Sequence, residues 1–499
     1  MKKRLTAILL SALLLFTGCS ERGADVIINA DGYEGINLAT ERYVAAPVSI
    51  PPSTSTPAET TEGSDTQTDE ETDAADESGT DDPVSETAAT TTTTPASTTA
   101  ATVVSTIATI ATEETTTAQQ TTTAASITQP TGSNSYTALN YKEVRGVWIS
   151  YIELSSMLTG KTESQFTSTI RQVFTNCANM GINTVYVHVR AHGDAYYNSQ
   201  YFPWSKYVTG TIGIAPSFDP LKIMVNEAHA LGLSFQAWIN PYRISSNGDI
   251  TSVSSSYSTG KWYQTSNGDR VVSVSGYYYL NPAYDEAVDL IAAGAREITA
   301  NYNVDGVHID DYFYPTTDAS FDSKAFAASG YSSLSSFRMN NCDKAVKALY
   351  NAVKAGNSSA LFGVSPQGNV QNNYDFMYAD VKKWCSTSGY LDYIAPQIYF
   401  GFKNASQPYE TVLAQWQSMV SGTNVKLIPG LAVYKIGTED SSGDGRYEWI
   451  NDTEIIKRQI QSAKTMAGYG GVILYRYDSV FDSAAAVIAE MNAVKEIFV

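Results

Sequence analysis

The chain has 499 residues, with 51 acidic and 32 basic side chains and a formal charge of −19 at neutral pH. That balance excludes a basic surface for nucleic acid, so none is expected as a partner. The charge is also uneven. Twelve acids crowd into Glu59–Glu86, and no basic residue occurs between Arg42 and Lys142, so the acidity describes one stretch rather than a folded domain.

Residues 1–19 read as a targeting segment. Lys2, Lys3 and Arg4 precede the apolar run Leu5–Phe16, which is too short to span a bilayer well. Thr17 and Gly18 then lead to Cys19. The pattern resembles a bacterial lipoprotein signal, with Phe16 where Leu is usual. It implies export, lipidation of Cys19 and a lipid anchor holding the chain outside the cytoplasm at the membrane. Residues 20–140 are rich in Thr, Ser, Ala, Pro, Asp and Glu and lack the apolar content of a core. They are expected to form a disordered linker. Cys177, Cys342 and Cys385 show no zinc spacing and are expected as buried thiols, although the sequence leaves a disulfide open.

From Tyr141 to Val499 strand and helix patterns alternate. Strands are predicted at Val144–Tyr151, Asn183–Arg190, Leu233–Asn240, Val304–Asp311, Leu361–Pro366, Tyr393–Tyr399, Val425–Val433 and Gly471–Tyr477. Helices are predicted at Glu163–Met180, Pro220–Leu231, Pro282–Tyr302, Leu334–Ala355, near Phe376–Cys385, and at Tyr409–Val420, Asp452–Met466 and Ala484–Ile497. The strands are continuous apolar runs, as in parallel strands buried on both faces. Eight such units predict an α/β fold, a (β/α)8 TIM barrel, rather than a doubly wound open sheet. There is no P-loop and no glycine-rich dinucleotide turn, so no nucleotide or other cofactor is expected. A monomer is expected.

In such a barrel the loops after the strands line the active face. Strand two ends in His188, Arg190, His192 and Asp194, and strand three in Trp238, Asn240, Tyr242 and Arg243. Strand four supplies His308, Asp310, Asp311 and Tyr312, and strand five Ser365, Gln367 and Asn369. Strands six, seven and eight supply Gln397 and Tyr399, Tyr434, and Tyr475 and Arg476. The long loop Ala195–Phe218 adds Trp204, and the loop Ile244–Tyr279 adds further aromatics. Aromatic rings beside amides and carboxylates suit a sugar, whose apolar face stacks while its hydroxyls need fixed donors and acceptors. Asp310 and Asp311 are the only paired carboxylates at a strand end. Neighbours on a strand point to opposite faces, so both can serve only if the strand ends or bulges between them.

Seven motifs occur in order: Glu143-Val-Arg-Gly-Val-Trp148, Val189-Arg-Ala-His-Gly-Asp-Ala-Tyr196, Pro203-Trp-Ser205, Ala237-Trp-Ile-Asn-Pro-Tyr-Arg243, Asp305-Gly-Val-His-Ile-Asp-Asp-Tyr312, Phe362-Gly-Val-Ser-Pro366 and Ala395-Pro-Gln-Ile-Tyr399. Together they resemble the bacterial glycosyl-hydrolase-like family 10, over Tyr141 to about Val480. The resemblance implies a barrel glycosidase with bacterial cell-wall glycan as substrate. His192, where Pro is expected, and Gln367-Gly368-Asn369, where an aromatic is expected, depart from the family pattern. Asp305-Gly-Val-His-Ile-Asp310 has a more distant likeness to family 18 chitinases, with His308 in place of the middle Asp and Tyr312 where the acid Glu would stand.

These readings name Asp310 and Asp311 as catalytic carboxylates and His308 as the group that orients them. His188, Arg190, Asp194, Trp204, Trp238, Asn240, Tyr242, Arg243, His308, Tyr312, Gln397, Tyr399 and Tyr434 are expected to bind substrate, and no metal is expected. The alternatives are a barrel that binds wall glycan without cleaving it, and a metal-dependent hydrolase using His188, His192, His308 and Asp310.

Overall fold

The computed structural model describes residues 132–245, 248–265, 269–440 and 443–499. Cys19, the targeting segment and nearly all of the expected linker lie outside the described residues. Twelve strands follow in chain order: β1 (Val144–Ile149), β2 (Thr184–Arg190), β3 (Ser234–Ile239), β4 (Arg243–Ser245), β5 (Val271–Val274), β6 (Tyr277–Leu280), β7 (Gly306–Ile309), β8 (Leu361–Val364), β9 (Tyr393–Ile394), β10 (Lys426–Leu427), β11 (Gly430–Ala432) and β12 (Gly471–Tyr475). Nine of them form one parallel sheet in the order β10-β9-β8-β7-β3-β2-β1-β12-β11.

The two ends of that sheet are halves of one strand. The predicted strand Val425–Val433 is broken at Ile428-Pro429, because Pro has no N–H to give to a ladder. β10 pairs with β9 on one side and β11 with β12 on the other. The Gly430 N–H donates to the Pro396 carbonyl at 2.8 Å, and the Ile473 N–H donates to the Pro429 carbonyl at 3.0 Å. The sheet therefore closes into the expected (β/α)8 barrel.

Alternation along the strands sorts the core into two shells. Val147, Ile149, Val185, Val187, Phe235, Ala237, Val307, Ile309, Phe362 and Val364 are buried between sheet and helices. Trp148, Tyr186, Trp238, Tyr393, Ala395, Ile428 and Ile473 fill the barrel itself. Large rings fit there because facing positions are small. A Cβ at Gly363 would overlap the Tyr393 ring. The helix Tyr409–Val420 lies where the sequence places it, and the other major helices agree within a few residues.

Three differences bear on the site. Strand one ends at Ile149, and Tyr151–Leu158 is a helix. The loop after β3 carries a small antiparallel sheet of β4, β6 and β5. The third lies at the opposite end of the barrel. Asn134–Leu139, expected as the end of the linker, crosses the barrel floor and is bonded to it. The Asn134 N–H donates to the Gly356 carbonyl at 2.7 Å, and the Ala138 N–H to Ser359 Oγ at 2.9 Å. The fully buried Asp305 is the hub. Its Oδ1 accepts from Tyr136 Oη at 2.9 Å and the Leu139 N–H at 2.5 Å, and its Oδ2 from His229 Nε2 at 2.8 Å and the Phe235 N–H at 2.7 Å. Cys177, Cys342 and Cys385 are free and buried. Among the described residues no helix is long and apolar enough to cross a membrane.

Candidate active site

β7 stops at Ile309, so Asp310 and Asp311 lie just past the strand, where alternation no longer forces them apart. Asp310 is 5% exposed. Its Oδ2 accepts from the Trp238 indole N–H at 3.0 Å and sits 3.5 Å from Asn240 Nδ2. Its Oδ1 accepts from the Tyr312 N–H at 3.4 Å. Burial, then the neighbouring Asp311, pushes its pKa up to about 7. Burial also pushes Asp311 up to about 6, against amide donors from Gln397 and Gln367 that favour its ionised form. Both carboxyls are thus pushed up towards neutrality, and the charge of Asp311 favours the protonated form of Asp310.

Asn240 is held in turn. Its Oδ1 accepts from the Tyr242 and Arg243 N–H groups at 3.2 and 2.9 Å, which aims its amide at Asp310. Arg243 Nη1 donates to Tyr312 Oη at 3.3 Å, and its guanidinium lies over the Tyr312 and Tyr151 rings. Its charge favours the ionised form of Asp310. On the far side Tyr399, Tyr434 and Tyr475 pack ring against ring, at centroid separations of 5.4 to 6.0 Å. Asp311 is close enough to Tyr399 and Tyr475 to raise their pKa values.

His308 does not orient the carboxylates, contrary to the expectation. It lies a layer deeper. The Trp148 indole N–H donates to its Nε2 at 3.1 Å, which assigns the proton to Nδ1, 3.0 Å from Tyr393 Oη. Burial drives its pKa down to about 3, so it is a neutral core residue. His188 stacks on Trp238 at 3.3 Å and accepts the Tyr151 N–H on Nδ1 at 3.1 Å. It shapes the wall beneath Asp310 and is also held neutral by burial.

Asp194 and His192 line a cavity of about 20 Å³ between the loops after β2 and β3, with Lys206, Tyr207, Ile244 and Ser245. Burial lifts Asp194 to about 6. Tyr151 stands between this cavity and the carboxylate pair, its ring 5.1 Å from His192, 5.2 Å from Tyr207 and 5.7 Å from His188. Besides His308, three predicted binding residues fall outside the constellation. Arg190, 1% exposed, lies against Phe202 in the layer between sheet and helix, where Gly294 leaves it room. Tyr242 is fully buried near Cys342. Trp204 is half-buried within its own loop. A register shift at His188/Arg190 moves Arg190 off the inward face. No group of three His, Cys, Asp or Glu side chains is placed to hold an ion among the described residues.

The sequence reading missed one group altogether. Glu153, on the unexpected helix Tyr151–Leu158, is buried and accepts the Ser150 N–H at 2.5 Å and the Asp478 N–H at 2.9 Å. It is paired with Arg476 Nη1 at 3.3 Å, which also donates to Ser150 Oγ at 3.1 Å. Ser150-x-x-Glu153 is a helix-start pattern that could have disclosed it.

A closed parallel barrel that gathers two carboxyls, amide donors and tyrosines at the C-terminal ends of its strands has the architecture of a barrel hydrolase. Residues 143–448 match the family described as Glycosyl hydrolase-like 10, and the chain belongs to that family. It is 31% identical over 395 residues to glycosyl hydrolase DigH of Escherichia coli strain K12, covering 70% of this chain and 87% of that protein. It is 34% identical over 349 residues to glycosyl hydrolase YngK of Bacillus subtilis strain 168, covering 65% and 67%. Among solved structures, the PgaB (BpsB) glycoside hydrolase domain of Bordetella bronchiseptica aligns with a TM-score of 0.46 at 12% identity, over 71% of this chain and 99% of that one.

Proposed function

We propose that this protein is a glycoside hydrolase that cleaves bacterial cell-wall glycan at a 2-acetamido sugar, with the Asp310–Asp311 pair as its chemical centre. One observation carries the reading: two adjacent carboxyls stand together at the barrel mouth, one deep among the donors of Trp238, Asn240 and Tyr312 and one beside Tyr399 and Tyr475. Hydrolysis needs an acid for the leaving oxygen and a donor for the oxocarbenium-like centre. The strand ends opposite hold Gln367, Gln397, Tyr399 and Tyr434 and no further carboxylate. The acetamido oxygen of the substrate supplies the missing donor. Its N–H donates to Asp310, and that hydrogen bond favours the Asp310 carboxylate and leaves Asp311 as the acid. Asp311 then protonates the leaving oxygen, and Tyr399 or Tyr434 holds the acetamido oxygen. Bound substrate thus sets the two protonation states.

Attachment of the chain through a lipid on Cys19, outside the cytoplasm, belongs to the same reading, since it would hold the barrel near the wall. Mass spectrometry of fragments released from purified peptidoglycan sacculi tests the activity, and NMR of the first-formed anomer tests the route. Retained configuration is expected, with inhibition by a thiazoline mimic of the cyclic intermediate. Inverted product would sink substrate assistance. Binding to sacculi with no release of fragments would leave a glycan-binding barrel instead.

A further inference from the structure

The cavity between the loops after β2 and β3 takes no part in the reaction above. The two loops are tied together around it. The Gly193 N–H donates to the Ile244 carbonyl at 2.9 Å, where both residues are buried. Lys206 Nζ pairs with Asp249 Oδ2 at 2.6 Å, where both are half-buried. The wall between these ties is of two kinds. Ile244 and Val253 are apolar and buried. His192, Asp194 and Ser245 are polar, and each is less than a tenth exposed. The Ser205 hydroxyl and the His192 backbone favour the ionised carboxylate of Asp194. Even so, among the described residues His192 Nε2, Asp194 Oδ1 and Ser245 Oγ have no hydrogen-bonding partner. Buried polar atoms are costly to leave unbonded, so three of them about one cavity point to a group that bonds them there.

We propose that this cavity is a subsite for a sugar next to the cleaved one, and that it takes the exocyclic hydroxymethyl group of that sugar. The inference rests on the glycan reading of the site above. At about 20 Å³ the cavity admits one small group, little larger than a water. A ring hydroxyl sits too close to its ring to reach in, and an acetamido group is too large. A hydroxymethyl arm fits both kinds of wall. Its methylene lies against Ile244 and Val253. Its hydroxyl donates to Asp194 Oδ1 and accepts from Ser245 Oγ or His192 Nε2. The half-buried rings of Tyr151 and Tyr207, 5.2 Å apart, stand beside the cavity and offer the sugar ring an apolar surface. Tyr151 also separates the cavity from the carboxylates, since its other neighbour is His188, stacked on Trp238. The sugar held here is therefore a neighbour of the one that reacts.

The test is calorimetric titration of the full chain, carrying Asp310→Asn to prevent cleavage, with a tetramer of β-linked N-acetylglucosamine. Four analogues of the tetramer each lack the hydroxyl of one hydroxymethyl group. Loss of that hydroxyl at one position, and at no other, is expected to weaken binding about tenfold or more, because it leaves the buried acceptor and donors unbonded. Asp194→Ala should weaken binding of the parent tetramer by a similar factor and make the protein indifferent to that position. Ser245→Ala should act in the same direction to a smaller degree, and it serves if Asp194→Ala does not fold. Equal affinity for all the sugars would mean that the cavity holds water alone. A positional loss that persists undiminished in both variants would place the contact elsewhere. Either result overturns the proposal. The expected binding pattern with no cleavage by the wild type would refute the hydrolase and leave the subsite standing, whereas cleavage without the pattern would do the reverse.

Discussion

Asp310→Asn should make the protein more stable and less active at once. Asn has the same shape and still accepts the Trp238 N–H, so the packing of the mouth is kept. What changes is a carboxyl held at about 7 in the folded chain against roughly 3.9 in an unfolded one. Below about pH 4 both states hold the proton, and the substitution gains nothing. As pH rises towards 7 the unfolded chain ionises first, so the wild type loses stability across that window, and the loss is complete above it. At about 1.4 kcal/mol per pKa unit the full difference is about 4 kcal/mol, and coupling to Asp311 brings it to about 2–4 kcal/mol. Urea unfolding of both proteins at several pH values between 4 and 8 measures it. The variant should match the wild type at pH 4 and exceed it at pH 8, while turnover falls by roughly 10²–10⁴-fold. Parallel stability curves across that range would mean that the site does not keep Asp310 from ionising.

Trp238→Phe removes the indole donor to Asp310 and should raise the Asp310 titration by about 1 pH unit, seen as an upward shift of the acidic limb of the activity profile. Gly363→Ala places a methyl against the Tyr393 ring, and calorimetry should record a loss of about 3 kcal/mol with no change in the site's titrations. Asp305→Asn takes the charge from four donors on the barrel floor; urea unfolding should show about 3 kcal/mol lost, and limited proteolysis should begin to cut within Asn134–Leu139.

The barrel was legible because continuous apolar strand runs and period-3.6 helices alternate eight times, and because parallel strands leave no ambiguity about which ends form the mouth. Asp310, Asp311, Trp238, Asn240 and Arg243 followed from that rule alone. Arg190 and His308 did not, for opposite reasons. A register shift at the end of β2 turned Arg190 into the helix layer, and no pattern in the sequence announces such a shift. His308 does face inward, but the barrel interior is several layers deep and alternation says nothing about depth. Glu153 was missed because strand one was read two residues too long, which hid the helix start that carries it. The floor segment Asn134–Leu139 was assigned to the linker on composition, whereas its fixation depends on Asp305, far along the chain.

That floor segment has a directional consequence. The chain N-terminal to Asn134 joins the barrel at the face opposite Asp310 and Asp311, and the joint is fastened through a carboxylate at the foot of the strand that bears them. A pull applied to the chain at Asn134 therefore reaches Asp305, and through it the base of β7, the strand that leads to Asp310 and Asp311.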